Sequence, residues 1–477
     1  MSTPTEYTAA EARRLLADGT LSALELAEFY LDRIERLNPG LNAVLGVDAE
    51  GARASALASD ARRRDGGLLG PLDGVPVLIK DNIEALGLPA TAGSRALLGS
   101  PPVADARLVT ALRDSGLVVL GSTNLSEWAN FRSTASTSGW SAVGGQTRNA
   151  FDPERNTSGS SSGSAVAIAA GLAPLAVGTE TDGSIVSPAG VCGVVGFKPS
   201  LGRVPGAGIV PISSRQDTAG PMARTVTDAA SLFAVLSGGP PPAEPDAADE
   251  RDAGIRRLAG RRLALWRPEA LTDDVAAVLD AVVELLAGAG CVLTETRGTT
   301  SGPFEDEEFA ALLAEFSVEL PAYLAGRAGD HPRNWPELLA FNRADEHELS
   351  RFSDEIFQLA AEVVGGTGSD QYLAARRAAD EICARSLAEV LGDSEFALAP
   401  TNSPAWPIVY GPTEQHGVLT SSLCAVTGSP SISLPAGTVA GLPVGISVLG
   451  RRGSDEQLLA FAAALEAVLS PLSYPLD

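Results

Sequence analysis

The sequence predicts an α/β protein built on a mixed sheet. Three observations carry that expectation. Short runs of branched apolar residues alternate with segments of helical apolar spacing along the whole chain. Hydrophobic residues make up 45% of the 477, ample for a packed core and too many for disorder. Turn-formers abound, with 50 Gly and 32 Pro to separate short elements. The length allows either several average domains or one large α/β domain.

The elements follow in order. Thr8 with Glu11, and Ser22 with Glu25, are capping-box patterns, each preceding a segment of helical spacing. In the second segment Leu24, Ala27, Leu31, Ile34 and Leu37 share one face, and Asn38-Pro39-Gly40 should end it. Val75, Val77, Leu78 and Ile79 predict a buried strand that ends in Lys80, and 117–121 predicts another. Residues 133–164 are mostly Ser, Gly, Thr and Asn, a long loop of the kind that carries function, running into the helix pattern SAVAIAAGLA. Strands are expected at 175–179 and within 192–199. The run GGPPPAEPDAADE, 238–250, reads as a linker. A strand GRRLALW, a helix from Asp273 to about Leu286 and a mostly helical stretch over 304–392 follow. FALAP and PSISLPAG read as returning strands. Ser454 with Gln457 should cap a last helix striped by Leu458, Phe461, Leu465 and Val468.

Charge narrows the function. The net charge is −24 and the isoelectric point about 4.5, so the chain repels phosphate backbones and is not expected to bind nucleic acid. Cys192, Cys291, Cys383 and Cys424 are far apart with no CxxC pair, which argues against a zinc site or a disulfide framework and for small buried residues. The first residues have no basic start and no apolar run, so they read as a helix rather than a signal peptide. No unbroken apolar run approaches the length of a membrane span, and the cytoplasm is the expected location, without a membrane partner.

Histidine, the usual general base, is scarce. His331 and His347 sit in a charged helical region and His416 in a polar loop, all three reading as solvated surface groups. Gly159–Gly163 matches GxSxG, but Glu154–Ser158 before it is polar, so the buried strand of a nucleophile elbow is missing. The segment reads instead as a Ser/Gly linker or as a helix N-terminus lined with hydroxyls and free N–H groups. Thr179–Ser184 follows a strand as a tight turn whose N–H groups can converge, as an oxyanion hole requires, although most such turns are only turns. Lys80 at a strand end is ordinarily an exposed charge; if buried, its pKa falls and it can serve as a base near neutral pH. Each signal is weak alone, and their order is specific: a Lys ending GVPVLIKDNI, a GSSSGSA loop, then TETDGSI.

These motifs resemble the amidase signature family. GVPVLIKDNI, the segment from Ser158 through GVVGFKPSLGRVPGAGIVPIS, and QDTAGPMARTVTDAA cover its defining region, with weaker similarity through APTNSPAWP and GSPSISLPAGTVAGLPVGISVLG. NLSEWANFRST at 124–134, GGQTRN and TETDGSI are similar to bacterial peptide amidases, which release ammonia from the C-terminal amide of peptides.

The resemblance implies one α/β domain over 1–477, a mixed central sheet flanked by many helices, and no metal or organic cofactor. Within it, 1–60 would supply N-terminal helices, 61–238 the core with the catalytic residues and 239–250 the linker. Residues 251–395 would supply a mostly helical part lining an acyl groove, and 396–477 the strands and helix that complete the core. The resemblance also implies catalytic roles for Ser184 as nucleophile, Ser160 as a bridging serine after a cis peptide bond, and Lys80 as base. Backbone N–H groups of Thr181, Asp182, Gly183 and Ser184 would form the oxyanion hole. Ala129, Asn130, Ser161 and Trp406 would bind substrate, within walls at 124–133 and 403–406.

Departures from the family pattern are Asp182 for a second Gly, Glu180 for Asp and Val186 for Arg; they shift the expected substrate towards peptide amides and leave the chemistry in place. The expected partner is a small or peptide amide, and the chain a monomer or homodimer. Competing expectations are an amidase of other acyl, aryl or natural-product amides, the ammonia-releasing component of a tRNA-dependent amidotransferase, and a binding protein on an inactive amidase scaffold. The last is disfavoured because Lys80, Ser160 and Ser184 are all present.

Overall fold

A computed structural model describes residues 7–242, 250–268, 271–297, 304–411 and 419–475. Both capping boxes form. Thr8 caps the helix Ala9–Ala17, and Ser22 caps Ala23–Leu41, each with the reciprocal glutamate bond. The second helix runs past the expected stop. Pro39 lies inside it, and the chain turns only at Asn42, whose left-handed φ of 51° ends the helix as a glycine would.

The strands are, in chain order, β1 (Val44–Val47), β2 (Pro76–Lys80), β3 (Val118–Thr123), β4 (Trp140–Ser141), β5 (Gly145–Gln146), β6 (Leu175–Glu180), β7 (Val195–Lys198), β8 (Thr218–Ala223), β9 (Arg262–Trp266), β10 (Val292–Thr296), β11 (Phe396–Pro400), β12 (Ser431–Val439) and β13 (Leu442–Leu449). Among the described residues eleven of them form one mixed sheet in the order β1-β3-β2-β6-β8-β7-β12-β13-β11-β9-β10. β2 pairs in parallel with β3 and β6, while β6, β8, β7, β12, β13 and β11 alternate antiparallel. The short β4–β5 hairpin sits inside the expected long loop.

Strands β2, β3, β6 and β8 are buried at every position, because helices cover both faces. This is the α/β architecture with flanking helices that the sequence predicts. A second apolar cluster forms away from the sheet. It joins Leu312, Phe316, Leu320, Trp335, Leu338 and Phe357 of the helical stretch to Ala92, Trp128, Val210 and Ile212 of the sheet-bearing part.

Three further expectations are corrected, at His331, Ser454 and Cys291. His331 is buried, 8% exposed, with Nε2 2.9 Å from the Leu324 carbonyl, so it serves one of the last carbonyls of the helix Glu305–Gly326. Ser454 precedes the last helix but makes no side-chain cap; Asp455 beside it instead accepts from the amide and hydroxyl of Ser200. Cys291 is only partly buried, whereas Cys192, Cys383 and Cys424 are buried and all four are free thiols. The helix Glu305–Gly326 is long and apolar enough to cross a membrane by length and composition. Its middle carries Glu315, paired at 2.8 Å with Arg376, and its apolar face joins the second cluster, which marks it as a core helix. Residues 243–249 of the expected linker and His416 lie outside the described residues.

Candidate active site

Lys80 closes β2, and the parallel neighbours β3 and β6 seal it from water; its exposure is 0%. The ammonium nitrogen Nζ lies 2.7 Å from Ser160 Oγ, 2.9 Å from Thr179 Oγ1 and 3.2 Å from the Thr179 carbonyl. Burial pushes this lysine down to about 7, while the nearby carboxylates of Glu180 and Asp217 oppose the fall. A substantial neutral fraction at pH 7 follows, and neutral Lys80 can accept a proton from Ser160.

Ser160 stands at the head of the helix Ser162–Ala169, after a cis Gly159–Ser160 bond. Its carbonyl accepts from the Ser126 amide at 3.0 Å. The next residue, Ser161, donates its amide to the Ser184 carbonyl at 3.1 Å, which brings the two serine loops side by side. Ser161 has its hydroxyl engaged with the Thr179 backbone, donating to the carbonyl at 3.0 Å and accepting from the amide at 3.2 Å.

The turn Thr181–Ser184 leaves β6 and enters the helix Val186–Cys192. Gly183 has a φ of +75°, and a Cβ there would lie 2.9 Å from Ser421 Oγ, so the position requires glycine. The side chains of the turn point away from its amides. Thr181 donates its hydroxyl to Asp217 at 2.6 Å, and Asp182 accepts from Ser421 and Ser422, each at 2.6 Å. Glu180 accepts from the amides of Ile185 at 2.7 Å and Val186 at 3.0 Å, fixing the chain just after Ser184. Among the described residues the amides of Asp182, Gly183 and Ser184 donate to no other group. Such unengaged donors can stabilise a developing oxyanion. Ser184 is buried, with 7% exposed.

Asp217 also accepts from the amides of Ile212 and Ser213, and burial pushes its carboxyl up to about 7. Sequence reasoning missed Asp217 as a brace of the turn, although it sits inside the QDTAGPMARTVTDAA segment that carried the resemblance. It also missed the hold of Thr179 on Lys80; a hydroxyl near the end of a buried strand was the available signal.

Loop 124–133 wraps beside Ser160. Trp128, Ala129 and Asn130 hold φ values of 49°, 55° and 69°, three consecutive left-handed non-glycine residues. Asn130 donates to Ser138 Oγ at 3.2 Å, and its Oδ1 is buried without a partner. Trp406 is partly buried, and its carbonyl accepts from the Asn156 amide at 2.7 Å. It packs with Val191 and Ala405 near the helix after Ser184.

Known proteins share this arrangement. The amidase family model matches residues 25–459. The native peptide amidase from Stenotrophomonas maltophilia superposes with a TM-score of 0.91 at 39% identity, covering 99% of this chain and all of that one. A probable amidase of Arabidopsis thaliana is 35% identical over 97% of this chain and 90% of its own length. A component of the glutamyl-tRNA(Gln) amidotransferase of Salinispora arenicola is 34% identical over the full length of both. With the buried lysine, the two serine loops and a matching model over most of its length, the chain belongs to the amidase signature family of hydrolytic enzymes.

Proposed function

We propose that this enzyme hydrolyses the C-terminal carboxamide of peptides to the acid and ammonia, with Ser184, Ser160 and Lys80 as its catalytic residues. The observation that carries the chemistry is the 2.7 Å contact between Ser160 Oγ and a fully buried Lys80 amine. Ser184 is a weak nucleophile unless a base takes its proton. Neutral Lys80 takes the Ser160 proton as Ser160 takes that of Ser184. The Ser184 oxygen adds to the amide carbon, and the carbonyl oxygen becomes an anion facing the amides of the 181–184 turn. The proton returns through Ser160 to the leaving nitrogen, the C–N bond breaks, and ammonia departs from an acyl-enzyme. Water then adds with the same proton traffic, the Ser184 ester bond breaks, and the acid leaves.

The peptide-amide assignment is supported by 39% identity to the Stenotrophomonas peptide amidase over 99% of this chain, against 34% to the amidotransferase component. Asn130, with its unpartnered buried oxygen, and Ala129 are the proposed acyl-side wall, with Trp406 on the other side. Ser161 contributes by fixing Thr179. The helices of 304–392 complete the acyl groove, which Glu308 supports: it accepts from Gln216, whose amide also donates to the Thr181 carbonyl. The acyl-groove part 251–395 and the core 61–238 are proposed as parts of one domain. A cytoplasmic location accompanies this reading.

Ammonia release from a library of peptide amides tests the substrate class, with Ser184→Ala as control. Wild type should release ammonia and be labelled by a fluorophosphonate probe; Ser184→Ala should lose both. Labelling that survives in Ser184→Ala would remove Ser184 from the mechanism. Release from glutamine only in the presence of a second protein would favour the amidotransferase reading.

A further inference from the structure

Loop 124–133 is anchored at its two ends by different parts of the molecule. At the near end Asn124 donates its amide to the Ala43 carbonyl at 2.8 Å and its side chain to Asn42 and Gly145, while accepting from Ser141. The distal end depends on Arg132, a fully buried guanidinium. It donates to Glu127 at 2.6 Å and to Glu348 at 3.1 Å, and it lies over the rings of Phe352 at 4.4 Å and Trp140 at 5.7 Å. The Arg132 carbonyl accepts from the Ile356 amide at 3.1 Å, and the next two residues bond Glu355. Between these anchors lie the three left-handed residues Trp128–Asn130. Non-glycine residues stay in that conformation only where their surroundings over-determine it, and such turns gather at ligand sites.

We propose that Arg132 is a positioning residue that sets substrate selectivity. By bridging Glu127, at the start of the left-handed turn, to Glu348 of the helical part, it holds Ala129 and Asn130 against the acyl side of a bound peptide amide. This rests on the reading of 124–133 as a substrate wall. Burial and the nearby Glu348 raise the Glu127 carboxyl well above its usual range, while the Arg132 guanidinium opposes the rise. The near anchor at Asn124 lies two residues before Ser126, whose amide donates to the Ser160 carbonyl at 3.0 Å.

The test uses the full chain with Arg132→Lys, which keeps the charge and loses the fork. With a peptide amide that wild type turns over, KM should rise about tenfold while kcat, and the rate of Ser184 labelling by a small sulfonyl fluoride, stay within about twofold. Glu355→Ala cuts the neighbouring, partly exposed tether and should raise KM in the same direction by about threefold. It keeps the question open to refutation should Arg132→Lys fail to fold. An unchanged KM in either folded variant overturns the proposal, as does a parallel fall of kcat and labelling, which would place Arg132 behind the catalytic serines. Wild type that is labelled yet releases no ammonia from any peptide amide sinks the substrate assignment instead, and the KM comparison is then made with the amide it does hydrolyse.

Discussion

At the scale of one residue, Lys80 decides the pH behaviour. Its amine ionises near 7 in the fold and near 10.5 when unfolded. Only the neutral amine can accept a proton, so kcat/KM should fall as pH drops through about 7, and Lys80→Met should lower activity by at least about a hundredfold across the range. The sign for stability runs opposite to that of a paired lysine. Between about pH 7 and 10.5 the unfolded chain holds a proton on this group that the folded chain lacks, so the native state gains stability as pH rises. Lys80→Met has no such group. Urea unfolding should therefore find wild type gaining on Lys80→Met from pH 7 towards pH 10, by about 1.4 kcal/mol per pH unit in the middle of that window. A constant difference would mean that Lys80 keeps its ordinary pKa and is charged in the fold.

The turn between β6 and the helix Val186–Cys192 is the element whose backbone is proposed to hold the oxyanion, and Gly183 is where it is most exposed to change. Alanine at that position meets a φ of +75° and Ser421 Oγ at 2.9 Å, so the turn must shift its amides. Gly183→Ala should cost kcat about a hundredfold with a smaller change in KM, the signature of lost oxyanion stabilisation. Steady-state kinetics on any turned-over amide checks it, and an equal loss confined to KM would contradict it. The first helices and β2 were legible in the sequence because their signals are local. Capping boxes at Thr8 and Ser22 need only a three-residue spacing, and the apolar run before Lys80 needs only a buried strand. The cap expected at Ser454 failed because Asp455 is drawn to Ser200, a partner 255 positions away. His331 was misjudged for the same reason: its polar sequence neighbours hide the Leu324 carbonyl that it serves. Arg132 and Asp217 carry no local mark, since their meaning lies in partners that only the fold brings near.

Across the whole molecule, the candidate site is braced by the helical part as well as by the sheet. Glu315, in the middle of the helix Glu305–Gly326, accepts from Arg376 Nη2 at 2.8 Å, Arg376 Nε at 3.0 Å and Tyr372 at 2.8 Å, and it also bonds Ser213. Arg376 donates in addition to Gln216 at 2.7 Å. Ser213 and Gln216 lie just before Asp217 at the entry to β8, and Asp217 holds Thr181 of the turn proposed to stabilise the oxyanion. One buried ion pair thus links two long helices to the backbone donors, about as far from the hydrophobic logic of the sheet core as this fold reaches. Arg376→Met leaves the Glu315 carboxylate buried without its cation and should destabilise by about 3–5 kcal/mol. Adding Glu315→Gln removes the stranded charge, so the double variant should recover part of that loss, and the cycle should give a coupling of about 1–3 kcal/mol. Activity at a temperature where every variant is folded should fall in Arg376→Met as well, because the Gln216 and Asp217 braces loosen together. Additive stability losses in the double variant would mean that the pair is screened and that the helical part does not act on the oxyanion turn through it.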